Sequence, residues 1–197
     1  MIMIQSNFQW QTRQVDSLID DALVDKYKLT PMMKSILESK GYTDGLELER
    51  ILAPNHLIHD PQALSDMDKA ISRIHKAIQN GEKILVYGDY DADGVTSTTI
   101  MVKTLQQLGA TVGWYIPNRF TEGYGPSEMA FRNAYDEGVT LIITVDNGIQ
   151  GHHEIELVQN LGVDVIVTDH HEMGETLPPA FAIIHPMHPD FNLSLIH

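Results

Sequence analysis

Cysteine is missing altogether from the 197 residues. Disulfides and thiolate metal sites are therefore excluded, and the absence fits a reducing compartment. Positive charge is scarce. Lys and Arg number 13 against 27 Asp and Glu, a net charge of −14, which argues against a chain that coats nucleic acid through a basic surface. No stretch approaches the roughly 18 apolar residues that a membrane span needs. The opening MIMIQSNFQWQTRQVDS has no basic start and no sustained apolar run, so a signal peptide is not expected. Internal repeats and low-complexity tracts are also lacking. A cytoplasmic protein without membrane contact is the expectation.

What is present is a core-forming composition, with 43% hydrophobic and 20% charged residues, and length enough for one mid-sized domain with an appendage. The acidity leaves one nucleic-acid chemistry open. An enzyme that meets phosphates through divalent cations needs clustered acids, because the bound ion reverses the local sign.

Residues 1–80 read as a helical segment. Helices are expected over 17–29, 31–40 and about 45–52, with Thr30 as N-cap and Pro31 in the first turn of the second. Gly41 ends that helix. The clearest helix is LSDMDKAISRIHKAIQNG, with Ser65 as N-cap and Met67, Ile71, Ile74 and Ile78 at helical spacing. From Lys83 the pattern changes. Strands are expected at 83–88, 111–117, 140–146, 163–169 and 180–186, and helices at about 95–108, 126–137 and 152–161. Val- and Ile-rich strands, mostly separated by helices, imply an α/β fold: a mostly parallel sheet with helices on both faces, over residues 81–190.

Ligands of such sheets bind beyond the carboxyl ends of the strands. Every expected strand ends in polar residues. The first runs into Asp89, Asp91 and Asp93, the second into Asn118 and Arg119, and the third into Asp146 and Asn147. The fourth runs into Asp169, His170 and His171, and the fifth into His185. Parallel strands bring all of these to one edge. A lone Asp after a strand is often only a cap or turn residue, and Asp146-Asn147-Gly148 also reads as a tight turn. A whole edge of carboxylates and imidazoles points to a metal site.

Three carboxylates within residues 89–93 repel one another unless a cation neutralises them. Oxygen ligands suit Mg²⁺ and Mn²⁺, and imidazoles favour Mn²⁺. The same residues match the start of a calcium-binding EF-hand loop, but its twelfth position, which needs Glu, is Ile100. The adjacent His170 and His171 cannot easily face the same way, so they take different tasks, His170 at the metal and His171 at the phosphate or at a supporting partner. Asp169 can orient an imidazole. The competing reading of 169–171 is a solvated loop. In 117–125, Arg119 suits a phosphate and Phe120 or Tyr124 a base, the alternative being a structured turn. His152, His153, His56, His59 and His75 read as surface residues.

At these residues the chain resembles the DHH phosphoesterases: GDYDADG the first motif, VDNG the second and DHH the third. The longer matches MDKAISRIHKAIQNGEKILVYGDYDADGVTST and IPNRFTEGYG point to the single-stranded-DNA exonuclease branch. Tyr87, near a histidine ligand of the pyrophosphatase branch, supports that choice. The resemblance covers about residues 30–190. It implies a Mn²⁺- or Mg²⁺-dependent enzyme that hydrolyses single-stranded DNA 5′ to 3′ in repair and recombination. Asp89, Asp91, Asp93, Asp146 and His170 are then metal ligands, and His171 and Asp169 catalytic. Arg119, Tyr124 and His185 meet the substrate. The family has a fourth aspartate motif and a second domain that are absent here, so an incomplete amino-terminal fragment is expected. Residues 191–197 are read as a candidate non-native tail. Two other functions remain open: a DHH phosphodiesterase acting on short oligonucleotides or cyclic dinucleotides, and an inactive nucleic-acid-binding fragment.

Overall fold

A computed structural model describes residues 18–52 and 60–189. His56, His59 and the tail from residue 190 lie outside the described residues. The chain divides near residue 58 into two compact units.

The first unit holds three short helices, α1 (Asp21–Tyr27), α2 (Pro31–Ser39) and α3 (Gly45–Leu52). Thr30 caps α2 as expected, its hydroxyl accepting from Met33 N at 3.2 Å, and Pro31 occupies the first turn. Ile19, Leu29, Leu37 and Leu48 form its small core. Glu38 is buried among them because its carboxylate accepts from the amides of Leu18 and Ile19.

The second unit opens with α4 (Met67–Gln79), followed by β1 (Lys83–Tyr87), α5 (Ala92–Gln107), β2 (Thr111–Tyr115) and α6 (Glu128–Asp136). β3 (Val139–Val145), α7 (His152–Asn160), β4 (Asp164–Thr168) and β5 (Ala182–Ile184) complete it. All strand pairs are parallel, in the order β2-β1-β3-β4-β5. The expected architecture is therefore the observed one. Alternate strand residues face opposite ways. Ile84, Val86, Leu141 and Ile143 pack with α4 and α5, while Tyr87, Ile142, Val165 and Val167 pack with α6 and α7. Each such aliphatic side chain contributes about 1.5–3 kcal/mol through burial.

Two expectations about α4 change. Its N-cap is Asp66, not Ser65, and Asp66 forms no side-chain cap because its carboxylate accepts from Ile183 N of β5 at 3.0 Å. Its buried stripe is Ala70, Arg73 and Ala77, with Ile74 and Ile78 half-buried and Ile71 exposed. Arg73 is tolerated inside because its guanidinium binds Glu82 at 2.7 Å, Asp164, and the Thr140 carbonyl.

From β1 the chain passes to β2 on one side and to β3 on the other, so a topological switch point lies between β1 and β3. Ladder hydrogen bonds continue past the strand ends. Gly88 N donates to Tyr115 O at 2.9 Å, Asp146 N to Thr168 O at 2.9 Å, and Asp169 N to Ile184 O at 3.2 Å. These bonds align the polar segments along one edge.

Candidate metal centre

α5 begins at Ala92, earlier than the sequence pattern suggests, because Asp91 caps it. The Asp91 carboxylate accepts from Gly94 N at 2.9 Å, and this hydrogen bond from the backbone holds its pKa below the ordinary value. Gly94 is required by close approach. A Cβ there would overlap the Asp89 backbone. The helix start is thereby pressed against the loop that carries Asp89.

Asp89 is 2% exposed and Asp146 is 8% exposed. Asp89 Oδ1 and Asp146 Oδ2 are buried without a hydrogen-bond partner. Burial, and then the neighbouring Asp91, push both carboxyls above the ordinary range. Asp146 also has positive φ, 63°, in the left-handed region that Asp and Asn tolerate best among non-glycine residues. Its other oxygen lies 3.0 Å from His170 Nε2.

Asp169, 7% exposed, has both oxygens occupied. Oδ2 accepts from Ile149 N at 3.0 Å. Oδ1 accepts from His170 N at 2.7 Å, His171 N at 3.1 Å and the His171 ring Nδ1 at 2.7 Å. Burial raises its pKa, but these donors outweigh it and bring the carboxyl below its usual value. The ion-paired His171 moves the other way. Burial lowers its pKa, and Asp169 more than restores it, leaving a net rise. Tyr124 Oη also approaches His171 Nδ1, at 3.0 Å.

Two sets of side chains could each hold a cation: Asp89 with Asp91 and Asp146, and Asp146 with His170 and His171. Within each, the donor atoms lie within 4.8 Å of one another. The sets share Asp146. The orphaned oxygens of Asp89 and Asp146 fit a cation that would replace their missing partners, and hard oxygen donors with imidazole suit Mn²⁺ or Mg²⁺.

The remaining expected residues fall elsewhere. Asp93 belongs to neither set. It lies in the first turn of α5 and lines a crevice with Ser97, Asp146, Thr168, Asp169 and His170. Arg119 is exposed, its guanidinium 5.1 Å from the Tyr90 ring centre. His185 is not brought to the crevice. It is 0% exposed, its Nε2 donates to the His171 carbonyl at 2.8 Å, and its Nδ1 accepts from Met187 N at 3.0 Å. His153 is at the surface, 3.5 Å from Glu128. Asn147 stands at the expected strand end beside Asp146, but the sequence gives it no task beyond a turn. It is buried, and its amide donates to Val145 O at 3.0 Å and to Tyr87 O at 3.4 Å, tying β3 to β1 behind the site.

The chain is 46% identical over 189 residues to the single-stranded-DNA-specific exonuclease RecJ of Bacillus subtilis, covering 95% of this chain and 24% of that one. It is 39% identical to RecJ of Escherichia coli, covering 96% and 32%. The crystal structure of RecJ from Thermus thermophilus in complex with Mn²⁺ matches with a TM-score of 0.63 at 32% identity, covering 91% of this chain and 26% of that one. The chain thus spans a quarter to a third of the length of these relatives. Residues 83–194, more than half of the sequence, match the description "DHH family, N-terminal domain", and the chain belongs to the DHH family.

Proposed function

We propose that this chain carries the amino-terminal, metal-binding part of a nuclease that hydrolyses phosphodiester bonds of single-stranded DNA from the 5′ end, in repair and recombination. The observation that carries this reading is the shared carboxylate, Asp146, between two potential ligand sets at the β1/β3 switch point. The named activity of the RecJ relatives supports the substrate, and the Mn²⁺ complex of the Thermus protein supports the metal. Among the described residues no helix is long and apolar enough to cross a membrane, and we place the enzyme in the cytoplasm.

In this reading Asp89, Asp91 and Asp146 hold one ion, and Asp146 and His170 hold the other, with Asp93 beside them. Bound there, divalent ions would make a water easier to deprotonate and would offset charge on the phosphoryl oxygens. Asp169 fixes the His171 ring through Nδ1, so Nε2 is left to donate to a phosphoryl oxygen when the ring is protonated. Arg119, on the loop after β2, holds a phosphate of the same strand. His185 sets the path of the 169–171 loop through the His171 carbonyl rather than touching substrate.

The test is a Mn²⁺-dependent assay on a 5′-labelled single-stranded oligonucleotide, run beside a dinucleotide and a cyclic dinucleotide. Release of mononucleotides from the long strand, abolished by Asp91→Ala, is the expected result. Hydrolysis of the dinucleotides alone would replace the proposed substrate. No Mn²⁺-dependent hydrolysis by the chain, also when it is joined to its downstream sequence, would overturn the reading.

A further inference from the structure

The loop between β2 and α6 carries Arg119 and Tyr124, and two tyrosines of the sheet hold it. Tyr87 ends β1, Tyr115 ends β2, and the strand register pairs them. Their rings stack with centroids 5.5 Å apart, and Phe131 of α6 packs edge-on against Tyr87 at 5.2 Å. Each hydroxyl then donates to the loop, Tyr87 to Gly125 O at 3.0 Å and Tyr115 to Glu122 Oε2 at 2.6 Å. Burial raises the Tyr87 pKa, and the bond to Glu122 pushes that of Tyr115 up to about 12. Both hydroxyls therefore remain donors at neutral pH.

The two bonds serve different ends of the loop. Glu122 belongs to a turn closed on itself. Its Oε1 accepts from Asn118 N at 2.8 Å, the amides of Thr121 and Glu122 donate to Asn118 O, and Phe120 N donates to Asn118 Oδ1. Arg119 sits within this turn, so the Tyr115 bond ties the backbone under Arg119 to the sheet. Gly125 belongs to the other end. Gly123 and Gly125, with φ of 83° and 87°, flank Tyr124, and a Cβ at either would meet no described residue. Paired glycines leave the backbone there its widest freedom, which the Tyr87 hydroxyl restricts. Tyr124 in turn meets His171, its Oη 3.0 Å from Nδ1 and the two rings edge to face at 5.5 Å. Asp169 fixes the His171 ring through one atom, Nδ1, about which the ring could still turn. The Tyr124 contact opposes that rotation.

We propose that Tyr87 and Tyr115 are positioning residues with divided tasks: the Tyr87 hydroxyl sets Tyr124, and through it the His171 ring, for the chemical step, while the Tyr115 hydroxyl sets Arg119 to hold the strand. The inference rests on the nuclease reading above. Neither tyrosine touches the carboxylate crevice, so each acts only through the loop.

The test is steady-state Mn²⁺-dependent hydrolysis of a single-stranded oligonucleotide by the chain joined to its downstream sequence. Phenylalanine keeps each ring and deletes one hydroxyl. Tyr87→Phe is expected to lower kcat about tenfold with KM unchanged, and Tyr115→Phe to raise KM about tenfold with kcat unchanged, each the size of one lost hydrogen bond. Tyr87→Phe is expected to cost nothing further in a Tyr124→Phe background, and Tyr115→Phe nothing further in an Arg119→Ala background. Mn²⁺ bound per chain counts the folded molecules, so lost fold is not read as lost kcat. Unchanged constants in either variant, the same change in both, or additive losses in the double variants would each overturn the inference and leave the nuclease reading standing. Absence of Mn²⁺-dependent hydrolysis by the unaltered protein would overturn that reading, and this inference with it.

Discussion

Replacing Asp146 with Asn should move stability in opposite directions with and without metal. Without metal, the native carboxylate is a liability. Its Oδ2 is buried with no partner, and burial together with Asp91 raises its pKa. A carboxyl whose folded pKa exceeds its unfolded value destabilises the fold at neutral pH, and that loss is recovered as pH falls through the folded value. Asn removes the charge, keeps the shape and tolerates the positive φ of 63°. The Asn amide can donate to the Asp89 and Asp91 carboxylates, whose oxygens lie within 4.8 Å of this position; exchanging a buried unsatisfied acceptor for that donor is worth about 1–3 kcal/mol, so the metal-free variant should melt several degrees higher. With metal the sign reverses. Excess Mn²⁺ at a hundred times its dissociation constant adds about 2.7 kcal/mol per site, and Asp146 belongs to both ligand sets. The variant should therefore lose most of the Mn²⁺-induced rise in Tm. Calorimetric melts at pH 7, with chelator and with excess Mn²⁺, check both signs. A lower metal-free Tm, or an undiminished Mn²⁺ increment, would refute the reasoning.

Asp169→Asn should destabilise the fold by about 2–4 kcal/mol, since an amide cannot accept from both Ile149 N and the His170–His171 donors; urea unfolding at pH 7 measures this, and an unchanged midpoint would contradict it. Glu82 supplies an acid-sensitive clamp. Burial raises its pKa, but Thr140 and Arg73 outweigh burial and lower it from 4.5 to about 2. Its contribution is full above the unfolded value and is lost as pH falls from about 4.5 towards 2. Glu82→Gln should flatten the pH dependence of Tm in that window, and an unaltered slope would exclude the clamp. Gly94→Ala forces a methyl group into the Asp89 backbone; a loss of about 1–3 kcal/mol is expected from overpacking, with Mn²⁺ affinity falling alongside, and calorimetry beside a Mn²⁺ titration reads both.

The sheet was legible because its strands are nearly continuous aliphatic runs, which only a doubly covered parallel sheet buries. The site edge was legible for the same reason, since a parallel sheet delivers all its carboxyl ends to one side. Side-chain direction was not. Asp93 follows Asp91 by two residues, yet the onset of α5 separates the two. His185 ends its strand on the correct edge, but its ring turns inward to the His171 carbonyl. Arg73 lies off the expected Met67, Ile71, Ile74 and Ile78 stripe, and the partners that bury it, Glu82 and Asp164, lie 9 and 91 residues away. Residue type and strand position gave the neighbourhood of each group, and tertiary partners decided its role.

The central claim is that one carboxylate, Asp146, serves two cation sites. Equilibrium Mn²⁺ binding followed by electron paramagnetic resonance tests it most directly. The account predicts two bound ions per chain that are magnetically coupled, and loss of the coupled signal in Asp146→Asn. A single uncoupled ion, or a coupled pair that survives Asp146→Asn, would contradict it.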